Sequence, residues 1–374
     1  MKKNYLLLII FSLIFVAGNH KDLRAQNFGL GDTKLAIVGN AQVDFVSTKD
    51  QSQFRNLAFK PIFLWSLSDR LFIESELEVA TDAGSVELVL EYANMVYFIN
   101  QYIAIHAGRF LPKFGAYRGR FGEAFLNKLA TDPVGFGDGG IGPMIETGIG
   151  LQGGTQLGLS KINYDFYVTN GPKLLTGSPD APDEAGQFEY EAYDSNNKGK
   201  ALGGRFGFLP FSNSSLEIGY SIEHKSRTGD LGTNYEKTPV TMQAIDLDYF
   251  TSIDFIKSTV RILGEWKSLY AGDIYYEDQF NPGVTYTFEN KSTAYYALFS
   301  IRPSQSANGF IHDFELAARY SEFNTPMGAI WGGGIKKQTA IGLNYWYRWN
   351  GAMKFTYQKQ DGQDSFVAQL VYGF

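Results

Sequence analysis

The residues able to do chemistry are few and scattered. Four histidines (His20, His106, His224 and His312) lie far apart with no metal-ligand spacing, and there is no cysteine to supply a thiolate. No G-x-S-x-G is present. His224 has Ser226 and Asp230 nearby, the one set a hydrolase could draw on, but the spacing fits no particular nucleophile, base and acid order. GFGDGG at 135–140 is glycine-rich, yet it does not lead from a strand into a helix as a phosphate cradle must, so it reads as turn. The stretch 178–198 carries six acids, oxygen ligands of the kind Ca2+ takes. Without a D-x-D-x-D-G pattern it reads as a solvated loop. No catalytic residue, metal or cofactor is assigned, and no enzyme is expected.

What remains is charge laid out in rows. Arg109, Lys113, Arg118 and Arg120 place four positive charges within twelve residues, followed by Glu123, Asp132 and Asp138. Elsewhere charge alternates with oil. In LFIESELEV, Leu71, Ile73, Leu77 and Val79 fall on one parity, and Glu74, Glu76 and Glu78 on the other. As a helix this would scatter the glutamates around the axis; as a strand it makes one oily and one acidic face. Leu216, Ile218, Tyr220 and Ile222 oppose Glu217 and Glu223; Leu316 and Tyr320 oppose Glu315 and Arg319; Phe355 and Tyr357 oppose Lys354. Glu87, Glu91, His106, Arg205, Arg261 and Glu265 lie on the polar parity of their own strands.

The elements that must hold these rows are strands. Sixteen are expected, near 34–47, 53–67, 70–80, 86–98, 102–110, 146–158, 161–170, 199–209, 215–226, 241–254, 257–268, 291–302, 311–323, 336–349, 352–360 and 365–374. Connections alternate between short turns and mostly long loops, the long ones being 111–145, 171–198, 227–240 and 269–290. A soluble sandwich has no reason to alternate this way, whereas a membrane barrel does. A short helix is expected over 123–130, before Asp132-Pro133. The fold class is therefore all-β: a closed antiparallel transmembrane barrel of about sixteen strands, wide enough for an aqueous channel. Closure is required because an unpaired backbone N–H or C=O in hydrocarbon costs several kcal/mol.

Bulk properties agree. Lys2 and Lys3 precede an apolar stretch at 5–17, and Leu23-Arg24-Ala25 ends in a small residue, which is the layout of a secretory signal peptide cleaved after Ala25. Residues 26–374 then form one barrel domain, and loss of a net +3 takes the formal charge from −6 to −9. That excludes a nucleic-acid partner in favour of lipid and small solutes. Aromatics make up 16% of the chain, 41 residues are glycine, and beyond the signal peptide no apolar run is long enough for a helical span, which suits strands that show lipid only every second residue. The chain ends SFVAQLVYGF, with Phe366, Leu370, Tyr372 and Phe374 on one face.

Three segments, AGRFLPKFGAYRGRF (107–121), NKLATDPVGFGDGGIGP (127–143) and the closing strand, resemble the phosphate-selective porin O and P family. The resemblance is one of architecture along the whole barrel and of motif over about forty residues. It implies a sixteen-stranded outer-membrane barrel in a Gram-negative bacterium, a homotrimer, and passive uptake of small hydrophilic solutes or ions. The third loop would fold into the lumen, placing Arg109, Lys113, Arg118, Arg120, Glu123, Asp132 and Asp138 at a constriction. The terminal strand resembles the signal that outer-membrane assembly machinery reads. The family's name does not carry over as a substrate, because the wall rows hold more acid than base. Weak cation preference or little selectivity is expected. The competing readings are a surface ligand-binding or adhesion barrel and, further off, a barrel hydrolase.

Overall fold

The computed structural model describes residues 34–82, 85–281 and 283–374. The expected signal peptide lies outside the described residues. Sixteen strands form one closed antiparallel barrel: β1 (Lys34–Thr48), β2 (Ser52–Ser66), β3 (Leu71–Asp82), β4 (Ser85–Phe98), β5 (Ile103–Phe110), β6 (Glu146–Leu157), β7 (Ser160–Thr169), β8 (Ala201–Leu209), β9 (Leu216–Lys225), β10 (Val240–Ile253), β11 (Ser258–Ala271), β12 (Lys291–Arg302), β13 (Phe314–Asn324), β14 (Ile335–Arg348), β15 (Gly351–Gln360) and β16 (Gln363–Gly373). Each pairs with its sequence neighbours, and β1 pairs with β16 from Asn40↔Gly373 to Thr48↔Ser365. The seam is sealed by the last residue: Gly39 and Phe374 exchange backbone hydrogen bonds of 3.0 and 2.9 Å, and the Phe374 ring stacks on Phe59 at 5.4 Å.

Alternation sets which side chains face where, and it is inverted relative to a soluble protein. On β9, Ile218, Tyr220 and Ile222 are exposed, while Glu217, Ser221 and Glu223 are buried. On β13, Leu316 and Tyr320 are exposed, while Glu315, Arg319 and Ser321 are buried. On β16, Phe366, Leu370 and Tyr372 point out and Val367, Gln369 and Val371 point in. A continuous apolar outer wall around a charged interior is stable only when the surrounding medium is itself apolar. A one-residue slip of β9 would send Glu217, Glu223 and Lys225 outward, so burial of charge also fixes register.

The strand ends depart from the sequence expectation by no more than three residues. Two pairs of two-residue strands were not expected, Lys173–Leu174 with Phe188–Glu189 and Tyr276–Glu277 with Thr285–Tyr286, both inside long loops. Two residues carry no periodicity to read. The helix expected over 123–130 is absent. The segment is turn, and one π-helical turn stands before it at Tyr117–Phe121. The reason is competition for backbone. Lys354 Nζ takes the carbonyls of Ala124 and Asn127, Asn344 takes that of Lys128 (2.8 Å), and the Ala130 N–H donates to Thr356 Oγ1 (2.9 Å). The Ala124 carbonyl and the Ala130 N–H, which a helix here would pair internally, are held by strand side chains instead, as are the Asn127 and Lys128 carbonyls of its last turn.

Candidate functional site

The site is the meeting of segment 111–145 with the inward face of the wall. Its backbone is gripped at several points by buried strand side chains. Glu265 on β11 accepts the N–H groups of Ala116 (2.9 Å) and Tyr117 (2.7 Å) through one oxygen. Ser221 on β9 takes the Gly115 N–H, and Ser321 on β13 that of Val134. Arg319 donates to the Thr131 carbonyl at 2.6 Å, Gln338 to that of Asp132, and Lys267 to that of Ile141. Phe114, Tyr117, Phe121, Leu129, Phe136 and Ile141 bury themselves against Met242, Ala244, Leu263, Ala294, Tyr296 and Leu298 on the wall. Apolar contact therefore holds the segment where the wall is oily, and polar capture holds its backbone where the wall is charged.

Tyr117 ties the segment to itself. Its hydroxyl donates to Asp132 at 2.6 Å and accepts from Asn127 at 3.1 Å, and its ring meets Tyr296 and Phe136 edge-on. Burial, with the Asp132 carboxylate beside it, pushes the phenol well above its ordinary pKa, so it remains a donor.

Charges of the segment meet partners on the wall. Arg120 binds Glu217 in bidentate fashion, both contacts at 2.6 Å. Glu217 also receives Arg205 (3.0 Å), which holds Asp246 at 2.6 Å. Lys128 pairs with Glu315 at 3.1 Å, and Arg261, paired with Asp248 at 2.8 Å, lies 4.5 Å over the Phe121 ring. Lys113 is mostly exposed, 3.7 Å from Asp165. Arg118 stands 3.4 Å from both Asp138 and Glu191. Arg109, buried at the end of β5, donates to the Glu91 and Glu191 carbonyls and lies 4.0 Å over Tyr193. Glu123 faces the seam and accepts from Asn40 at 3.1 Å.

The wall of β2–β4 is different in character. Glu74, Glu78 and Glu91 keep partial exposure, Glu76 is buried, and Glu87 is exposed at the strand end. Asn94 donates to Glu74 at 3.1 Å, and Lys60 pairs with Glu78 at 2.9 Å. The charged residues read from sequence thus divide into two groups. Arg261, Glu265, Glu315, Arg319 and Lys354 touch 111–145, Arg205 reaches it only through the Glu217 that Arg120 holds, and the β2–β4 acids meet it through the charges of Glu123 and Arg118. His106 is buried on β5, its Nε2 3.6 Å from Asp165. Gly150 makes room for it, since a Cβ there would lie 2.2 Å from that nitrogen. Gly150 therefore serves close packing.

Sequence reading did not single out Lys128, Asp165, Lys267, Gln338 or Asn344. Four of these lie on the polar parity of their strands, the signal by which they were findable. Lys128 had none. His224, Ser226 and Asp230 do not assemble: His224 faces outward with Nδ1 2.9 Å from Thr241 Oγ1, and Asp230 accepts from Asn196. Among the described residues no group of three or more His, Asp or Glu is placed to hold a metal ion. In the acidic loop, Asp194 and Glu189 both approach Lys173 instead, at 2.7 and 3.9 Å.

Glu265 offers a direct check of the grip. Replacing it by Ala strands two buried N–H groups, each lost bond to a charged acceptor being worth about 1.5–3 kcal/mol. The expected outcome is a noisier open-channel current with the barrel still closed, seen as flicker in planar-bilayer recordings alongside an unchanged heat-modifiable gel band; a current as free of flicker as that of the intact protein would contradict it.

No family model matches the sequence, and no curated protein matches it. The fold does have solved counterparts. The outer-membrane channel DcaP of Acinetobacter baumannii superimposes with a TM-score of 0.60 at 10% identity, covering 94% of this chain and 100% of that one. OmpF of Salmonella typhi, solved with daunomycin, gives 0.57 at 12% identity over 91% and 98%. An anion-selective porin from Comamonas acidovorans gives 0.53 at 11% identity over 92% and 100%. The chain has the sixteen-stranded barrel fold of outer-membrane porins.

Proposed function

We propose that the protein is an outer-membrane porin, a passive pore for small hydrophilic solutes or ions whose lumen is constricted by segment 111–145. The observation that carries this reading is the capture of that segment's backbone by inward-facing Glu265, Ser221, Ser321, Arg319 and Lys354. A segment tied across the interior narrows the lumen without filling a sixteen-stranded barrel. In this reading Arg109, Lys113, Arg118, Arg120, Glu123, Asp132 and Asp138 edge the narrow zone, and Glu74, Glu78 and Glu91 line the open wall with His106 beside it. The solute leaves chemically unchanged. Residues 1–25 direct export and are removed, the mature barrel sits in lipid of a Gram-negative outer membrane, and its last strand engages the assembly machinery. A homotrimer is part of the proposal, in keeping with a trimer form of the similarly folded OmpT of Vibrio cholerae, TM-score 0.50.

The test is reconstitution of the purified protein in a planar bilayer. Discrete, long-lived conductance steps are expected in KCl, with only a small reversal potential in a salt gradient. A bilayer that stays silent while the folded band is present on gels would sink the pore reading.

A further inference from the structure

At the long-loop end, segments 138–144 and 186–191, Asn290 just before β12, Trp331 after β13 and the ends of β11–β13 line a half-open cavity of about 270 Å3. It is small for a ligand pocket, a class that begins near ~300 Å3, and suits one ring. Three of its features are built rather than incidental. First, it presents flat apolar surfaces. Phe188 and Tyr190 lie side by side at 6.3 Å, Tyr190 rests on Gly142, where a Cβ would fall 2.3 Å from the ring, and Trp331 is fixed by donating Nε1 to the Ala185 carbonyl at 3.0 Å. Second, its carboxylates stand beside donors: Arg118 lies 3.4 Å from both Asp138 and Glu191, and Lys173, paired with Asp194 at 2.7 Å, lies 3.9 Å from Glu189. Acceptors and donors therefore stand together at the rim. Third, Asn290 is 1% exposed and lines the cavity. Its Nδ2 donates to the Gly186 carbonyl at 2.8 Å, and its Oδ1 has no protein partner. A buried acceptor left open costs about 1–3 kcal/mol unless something donates to it.

We propose that this cavity is a binding subsite for one ring of a polyhydroxylated solute, a sugar unit met at the entrance before the narrow zone. Aromatic faces cover the ring's C–H faces, the lining carboxylates, Asp138 and Glu191 held from behind by Arg118, accept hydroxyls, and one hydroxyl donates to Asn290 Oδ1. An organic cation would have to compete with Arg118 for Asp138 and Glu191, and an apolar ring would leave Asn290 unmet. The inference rests on the porin reading for its role in transport, though binding itself does not require an open channel.

The experiment pairs two readouts on the full protein: calorimetric titration of maltotriose into the detergent-solubilised barrel, and open-channel current in a bilayer with maltotriose added from the long-loop side. Choline is the cation arm. Saturable maltotriose binding and graded current block are expected, choline giving neither. Trp331→Ala and Asn290→Leu, compared as channels that still conduct, should each raise the half-saturating concentration about tenfold, roughly the 1.4 kcal/mol per decade expected for losing one such contact, while Trp331→Phe keeps most of the binding. A conducting channel that neither binds nor is blocked by maltotriose overturns the subsite and leaves the pore standing. Binding without conductance does the reverse. Choline binding in preference to the sugar, or a maltotriose affinity in both variants equal to that of the intact protein, also overturns it.

Discussion

Deletion of residues 116–140 raises single-channel conductance by about threefold or more, because the lumen of a sixteen-stranded barrel is otherwise a water-filled channel. The segment contributes Tyr117, Phe121, Leu129 and Phe136 to a cluster that covers Leu263, Tyr296 and Leu298 on the wall. Removing it takes away apolar bulk and frees Glu217, Glu265, Arg319 and Lys354, whose partners lie wholly or partly in it. The barrel itself is expected to survive, since its closure depends on strand pairing from β1 round to β16 and on no hydrogen bond from the deleted stretch. Apolar wall positions newly open to water will lower its stability, by an amount that scales at about 25 cal/mol per Å2 uncovered. The check is the conductance histogram in 1 M KCl of the variant beside the intact protein, both confirmed as folded by heat-modifiable migration. An unchanged histogram would falsify the constriction role.

Neutralising the open wall with Glu74→Gln, Glu78→Gln and Glu91→Gln shifts the reversal potential toward chloride. In the intact protein these carboxylates remain partly accessible on β3 and β4, and among them Glu78 has the Lys60 ammonium at 2.9 Å. Most basic groups of 111–145 are paired elsewhere, Arg120 with Glu217, Lys128 with Glu315, and Arg118 with Asp138 and Glu191. Lys113 is the most exposed of them, its side chain 55% exposed, and it donates to Gln152 Oε1 and stands 3.7 Å from Asp165. In the proposed pore the field met by a passing ion is expected to be set more by the acids than by the four basic residues their sequence spacing emphasised. In a tenfold KCl gradient the intact channel is expected to show a small potential of the sign given by K+ leak, and the triple variant a potential moved through zero. Strong anion selectivity in the intact channel, or no movement in the variant, would reject this account. High salt should shrink the difference, since the screening length falls to about 3 Å at 1 M.

Both outcomes depend on features that differ in how far they could be read ahead. The strands were legible almost to the residue, because a strand's period is local: Glu217, Ser221 and Glu223 turn inward wherever Ile218, Tyr220 and Ile222 turn outward, and no distant residue is needed to see it. The same holds for closure by the SFVAQLVYGF strand. The 123–130 helix failed for the opposite reason. Its propensity was local, but its backbone was claimed by Lys354, Asn344 and Thr356, more than two hundred residues away in the chain.

The amino-acid sequence by itself determined a barrel with an oily outside and a charged inside, the number of its strands, and the one loop rich enough in arginine and glycine to behave differently from the rest. It did so through two-residue alternation and turn chemistry, which act between neighbours. Only the tertiary structure decided which charges meet. Glu265 reaches Ala116 across 149 residues, Arg120 reaches Glu217 across 97, and the cavity beside Asn290 is assembled from four loops and three strand ends that share no local pattern. Closing the sheet into a cylinder brings distant strands to face one another, and pairings made across the lumen are set by that curvature, which no local stretch of sequence contains.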